Sequence, residues 1–222
     1  MTVHKSVAIA VAMSLACAWS APSHAEVIDS AIPWVTQSGS SHTIIVAPAD
    51  IAGFDARENA TVQVQGGEVS GLSTHDSSRA LVAGGEVAWL RLYENSHADV
   101  TGGQLSWIWL HDHSTVRITG LTDLSWLVFD DTTTRAEIVA DNVSYSGGHL
   151  SGTWANGQAF SFWAVDAGFT PTSVMPSNIS ITAVPEPSAW AMGLIGMVGL
   201  LTWRSRHGRH PQRSLAGDAL GA

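Results

Sequence analysis

Four aromatic residues recur on a regular beat. Trp89, Trp107, Trp126 and Tyr145 stand 18, 19 and 19 residues apart. If the chain returns to the same place after each interval, their rings form one column, about 4.8 Å from ring to ring. Flat aromatic surfaces of this kind suit sugar rings, whose C–H faces are apolar. Arg91 and Trp109 belong beside the column. A second column is acidic: Asp76, Glu94, Asp112 and Asp131, at spacings of 18, 18 and 19. It is flanked by His75, Tyr93, His111 and Asp130 on one side, and by Ser77, Asn95, His113 and Thr132 on the other. Carboxylates stacked this closely repel one another, and a divalent cation would relieve the strain. His111 and His113 add imidazoles of the type that bind transition metals. Two carboxylates flanking one bond are also what glycoside hydrolysis needs.

Each column has a plainer reading. Indoles stacked between coils stabilise a fold without any ligand, and they can pack under a cap, a loop or the segment "EVIDSAIPWVTQ". "HDHS", "YENS" and "DDTT" also have the composition of solvated turns. The chain has no Asp-x-Asp-Gly calcium loop, His-Glu-x-x-His, Gly-x-Ser-x-Gly or Walker loop. No cofactor, no catalytic residue and no metal site are assigned, the acidic column being the weak candidate for a metal. The alternative is a β-helix enzyme acting on polysaccharide, a lyase or glycosidase, through carboxylates of the 76–131 column.

The elements that must position these columns follow from the same beat. Gly66-Gly67, Gly84-Gly85 and Gly102-Gly103 are eighteen residues apart, and Gly120 falls in step. Val69, Val87, Leu105, Leu124 and Val143 form one apolar column. Leu72, Leu90, Ile108 and Leu127 form a second, and Val64, Val82, Val100 and Ile118 a third. A period near twenty residues, rich in Gly and β-branched residues, marks a solenoid. Within a unit such as Ala88-Trp89-Leu90-Arg91-Leu92 the pattern alternates with period two, which is strand. The aliphatic parity faces inward, with Leu92, Leu110 and Phe129, so the indole parity faces out.

The expected fold is therefore all-β: a short parallel β-solenoid of about five coils of 18–19 residues, of open handedness. "HTIIVAPADIAGF" is expected as its first coil. A C-terminal hairpin cap is expected at the Asn156-Gly157 turn. This body spans 26–183. Between residues 26 and 184 stand five Arg (57, 79, 91, 117, 135), no Lys and seventeen Asp or Glu, a net charge of −12 with His neutral. Such a surface repels nucleic acid and anionic lipid.

Both ends carry addresses. Residues 1–25 read as an export signal: Lys5, the apolar run Val7 to Trp19, and Ser23-His24-Ala25 as the cleavage site. The single cysteine, Cys17, leaves with that segment. At the other end, Pro185-Glu186-Pro187 precedes fifteen uncharged residues, Ala189 to Trp203, and then Arg204, Arg206 and Arg209. Fifteen residues of helix span about 22 Å, short of a typical hydrocarbon core. The arginines would stop the helix on the cytoplasmic side.

Val184-Pro185-Glu186-Pro187-Ser188, the Gly-rich apolar helix 189–203 and the arginines resemble the PEP-CTERM sorting signal of Gram-negative bacteria. The resemblance covers about 184–209, leaving 210–222 as a basic tail. It implies an exported protein tethered in the inner membrane with its body in the periplasm. An exosortase would process it near Pro185, Glu186 and Pro187, and it would pass to the cell surface or extracellular matrix. A structural or exopolysaccharide-associating role is the function expected from the two halves of the reading.

Overall fold

The computed structural model describes residues 25–184. Among them every regular element is a strand, and no helix is long and apolar enough to cross a membrane. The signal segment up to residue 24 lies outside the described residues. So do Pro185, Glu186 and Pro187, the apolar run 189–203, Arg204, Arg206, Arg209 and the tail 210–222.

The body is a β-solenoid of about six turns. The first coil holds β1 (Glu26–Ile28), β2 (Ala31–Ile32) and β3 (Val35–Gln37). The second holds β4 (His42–Ile45), β5 (Asp50–Ile51) and β6 (Phe54–Ala56). Then come β7 (Thr61–Val64) with β8 (Glu68–Thr74), and β9 (Arg79–Val82) with β10 (Glu86–Leu92). β11 (His97–Val100) with β12 (Gln104–Leu110), and β13 (Thr115–Ile118) with β14 (Asp123–Phe129), complete the regular turns. The short strands pair in parallel as one ladder, Thr61 to Arg79 to His97 to Thr115. The long strands pair as another, Glu68 to Glu86 to Gln104 to Asp123.

The count corrects the expected five coils, and the stretch at "HTII" is the second coil. "EVIDSAIPWVTQ" forms a turn of its own, with Glu26 beside Thr43, Ala31 beside Asp50 and Val35 beside Phe54. Those offsets of 17 and 19 residues bypass the beat of eighteen, and the segment has no Gly-Gly corner to announce it.

The three apolar columns face inward. Val64, Val82, Val100 and Ile118 are fully buried, as are Val69, Val87, Leu72, Leu90, Ile108 and Leu127. Each such side chain contributes about 1.5–3 kcal/mol of transfer free energy. Val143 leaves its expected column: it sits at the register shift between β15 (Arg135–Ser146) and β16 (His149–Trp154), packed against the core edge. Gly67, Gly85 and Gly103 turn the corner at φ of 79°, 76° and 87°. A Cβ on Gly85 would stand 2.7 Å from the Gly67 carbonyl oxygen, so the stacked corners admit no side chain.

The cap is built by leaving the beat. The first half of β15 stays parallel, between β13 and β18 (Ile179–Thr182). Its second half turns antiparallel against β16, and β16 pairs antiparallel with β17 (Ala159–Asp166). The expected turn joins β16 and β17, with Gly157 at φ 83° and the Asn156 side chain accepting the Gln158 N–H at 2.9 Å. β17 then returns to lie parallel on β14. Buried Trp154 and Phe162 close the core at this end.

Candidate functional site

Inward aliphatics at one parity force the indoles to the other. Trp89 pairs with Trp107, Trp107 with Trp126, and Trp126 with Trp163. The four rings stack at 5.0, 5.2 and 5.2 Å with interplanar angles of 9–12°. All four are half-buried. Each aromatic pair adds about 0.5–1.5 kcal/mol beyond its area.

Tyr145 is not the fourth member, which corrects the expected column. The hairpin sets Trp126 and its partner Trp163 apart by 37 positions in place of the beat of 18 or 19. Tyr145 lies on the antiparallel half of β15, and its hydroxyl is 3.2 Å from both the Ala164 carbonyl and Thr172 Oγ1. The beat has no way to show this. The run Phe160-Ser161-Phe162-Trp163-Ala164-Val165, which repeats the alternation of β14, is the sequence signal that points to Trp163.

Two further residues enclose the stripe. Phe169, at φ 52°, stands edge-on to Trp107, Trp109 and Trp126 at 5.8–5.9 Å. His149 lies against Trp163, 3.7 Å between centroids, and closes that end. At the opposite end, among the described residues, no further ring stacks on Trp89. Trp89 has Gly71 as its neighbour in the preceding coil, and Arg91 lies over its ring at 5.1 Å.

A second ladder stacks beside the first. His75, Tyr93 and His111 lie ring on ring at 4.6 and 4.5 Å, and Trp109 stacks on His111 at 5.5 Å. Carboxylates close both ends: Asp55 Oδ1 is 3.1 Å from His75 Nε2, and Asp130 Oδ2 is 3.2 Å from His111 Nδ1. The first of these is a close contact rather than an aligned hydrogen bond, since Asp55 Oδ1 has no donor directed at it. Asp55 Oδ2 accepts from Arg57 at 2.6 Å, which holds the guanidinium above its ordinary pKa.

The acidic column is structural in its geometry. Glu58, Asp76, Glu94 and Asp112 all sit at φ of 56–60°, the left-handed corner of each coil. Each carboxylate accepts a backbone N–H from the coil before: Glu58 from Gly39 at 2.8 Å, Asp76 from Glu58 at 2.9 Å, Asp112 from Glu94 at 3.1 Å. Glu94 takes the Asp76 N–H in the same way. Asp131 departs from the column. An extra pair of residues enters that turn, and its Oδ1 accepts from the Thr133 N–H, Thr133 Oγ1 and Thr134 N–H at 2.6–3.1 Å. The Thr133 hydroxyl, above all, holds its carboxyl below the usual range. Among the described residues no three His, Cys, Asp or Glu side chains are grouped to hold a metal ion.

No protein-family model, curated protein or solved structure matches this chain. The arrangement must therefore be read from its own chemistry. Beside the last coil lies a cleft of about 400 Å³. Asp130, Asp131, Asp166 and Asn178 line it. Asp166 Oδ1 accepts from Gly168 N–H and Thr170 Oγ1, and Asn178 donates to the Asp131 and Thr134 carbonyls. These groups hold the 166–178 loop onto the last coil.

Proposed function

We propose that this is an exported surface protein that associates with extracellular polysaccharide through its indole stripe. The observation that carries the reading is the continuous stack Trp89, Trp107, Trp126 and Trp163 on the outer face of a rigid β-sheet. A row of half-exposed rings at about the spacing of stacked strands presents a continuous apolar ridge of ring edges to a chain of sugars, and a rigid sheet spends little entropy on binding. The export signal 1–25 and the PEP-CTERM-like segment 184–209 supply the address. In this reading residues 189–203 form a helix that tethers the body on the periplasmic side of the inner membrane. An exosortase then acts near Pro185, Glu186 and Pro187, and the body reaches the surface or matrix.

The test has two parts. The intact mass of the protein from culture supernatant should begin at Glu26 and end near Pro185 to Pro187. A full-length C-terminus found only in membranes would refute sorting. Trp107→Ala with Trp126→Ala should weaken retention on the host polysaccharide while the protein stays folded. Unchanged retention would refute the adhesive role.

A second reading, an enzyme acting on polysaccharide, has the cleft beside Asp130, Asp131 and Asp166 in its favour. Release of reducing or unsaturated ends from the host polymer by the purified protein would support it, and their absence across several polymers would remove it.

A further inference from the structure

The indole stripe is closed at one end by His149 and along its flank by Phe169, but among the described residues no ring of that kind covers Trp89. Its neighbour in the preceding coil is Gly71. A Cβ built on Gly71 meets only the Ala52 carbonyl oxygen, at 3.7 Å, so Gly71 leaves a gap beneath Trp89 that its own position does not fill. One coil further on, the Trp34 ring lies over Gly53. Trp34 is 61% exposed, so this stretch of the sheet face between two indoles is open to solvent.

Arg91 projects at this gap. Trp107 holds one face of Trp89, so the guanidinium, 5.1 Å from the ring centroid, occupies the other. Its charge is unspent. Arg57, Arg79 and Arg117 each pair with a carboxylate, and Arg135 donates to the Thr132 and Thr134 carbonyls. Among the described residues Arg91 has neither kind of partner. This stands out in a body with seventeen acids and five arginines. The nearest acid in its own column, Asp55, is already engaged by Arg57 and His75.

An aromatic face holds a guanidinium in one plane and leaves its N–H edge free. That edge matches two oxygens of a carboxylate, as a fork meets a fork. We infer that Arg91 is the anion-reading residue of the stripe and that the polysaccharide it takes carries carboxylate-bearing, uronic acid sugars. The inference rests on the polysaccharide reading above and names its ligand class. The body's negative charge does not forbid it. Repulsion from distant acids is screened over about 8 Å at physiological salt, whereas the guanidinium contact is made at hydrogen-bond distance.

The experiment compares the full-length protein, purified in detergent, with its Arg91→Gln, Arg91→Lys and Gly71→Trp variants. Binding is measured by calorimetry. The probes are hexamers of glucuronate, galacturonate and mannuronate, each beside its carboxyl-reduced neutral counterpart. The wild type should bind at least one acidic hexamer about tenfold or more tightly than its neutral form. Arg91→Gln should erase that difference. Arg91→Lys, a point charge without the fork, should restore it in part. Gly71→Trp should abolish the preference by taking the guanidinium's place on Trp89. Equal binding of acidic and neutral hexamers by the wild type would overturn the inference and leave the polysaccharide reading standing. An acidic preference that survives Arg91→Gln would overturn it as well. Binding of no hexamer at all, acidic or neutral, would overturn both.

Discussion

The Asp112 carboxylate accepts the backbone N–H of Glu94 at 3.1 Å, one coil earlier, while Glu94 stands at φ 59°. The relationship repeats down the column, and it answers why acids line up there. A residue in the left-handed region turns its N–H outward, where no strand can reach it. A carboxylate from the next coil accepts it, and its negative charge strengthens the bond.

Removing one link should therefore cost stability. We expect Glu94→Ala to destabilise the protein by about 0.5–1.5 kcal/mol, the value of one hydrogen bond at an exposed site. Glu94→Gln, whose amide oxygen still accepts, should lose less. Thermal melting checks both. The same measurement with and without a chelator should give one melting temperature, because these carboxylates are engaged by amides. A shift on chelation would mean that a cation holds the column after all.

The corner glycines and the ladder glycine should separate cleanly. Gly85→Ala puts a Cβ at φ 76° and within 2.7 Å of the Gly67 oxygen. We expect a loss of more than about 1 kcal/mol. Gly71→Ala, on an open strand position, should be neutral or slightly stabilising. Equal effects in denaturant titrations would contradict the stacked-corner geometry.

Trp126 makes stacking contacts on both faces, with Trp107 and Trp163. Trp126→Ala should cost less than the roughly 3–5 kcal/mol of a fully buried tryptophan, because the ring is half-buried; thermal melting measures it. Trp163→Ala should uncouple the cap from the last coil. Hydrogen exchange would read this as faster exchange in β17 with β10 and β12 unchanged.

Asp131 sets an acid limb. Its carboxyl is held below the usual range in the folded chain by Thr133, so the ionised form favours folding. That contribution is complete above the unfolded value, near pH 4, and is lost as pH falls through the lower folded value. Thr133→Val should thus melt earlier than wild type at pH 6, and the gap should narrow on acidification. A gap that does not change with pH would show that the hydroxyl acts through the Asp112 carbonyl instead.

The legible part of this fold is its repetition. Gly-Gly pairs eighteen apart and alternating aliphatics name a solenoid, its inward columns and the outward parity of Trp89, Trp107 and Trp126. Identical surroundings recur there, so each coil's residues report the next coil's position. The first coil was not legible, because offsets of 17 and 19 carry no corner signal. Trp163 was hidden for a stronger reason: an antiparallel excursion lies between it and Trp126, and its length obeys turn geometry instead of the repeat.

By itself, then, the chain order determined the strand period, the buried columns, the corner glycines and the charge of the surface. These follow from local pattern, since steric freedom at Gly and the alternation of a strand act within a few residues. The tertiary structure decided which ring completes the indole stack, that Phe169 stands across it, and that Arg91 lies over Trp89 where Gly71 supplies no ring. It also turned a column of like charges into a chain of amide acceptors. Those outcomes depend on what lies one coil away in space, and only the closed turns of the solenoid bring it there.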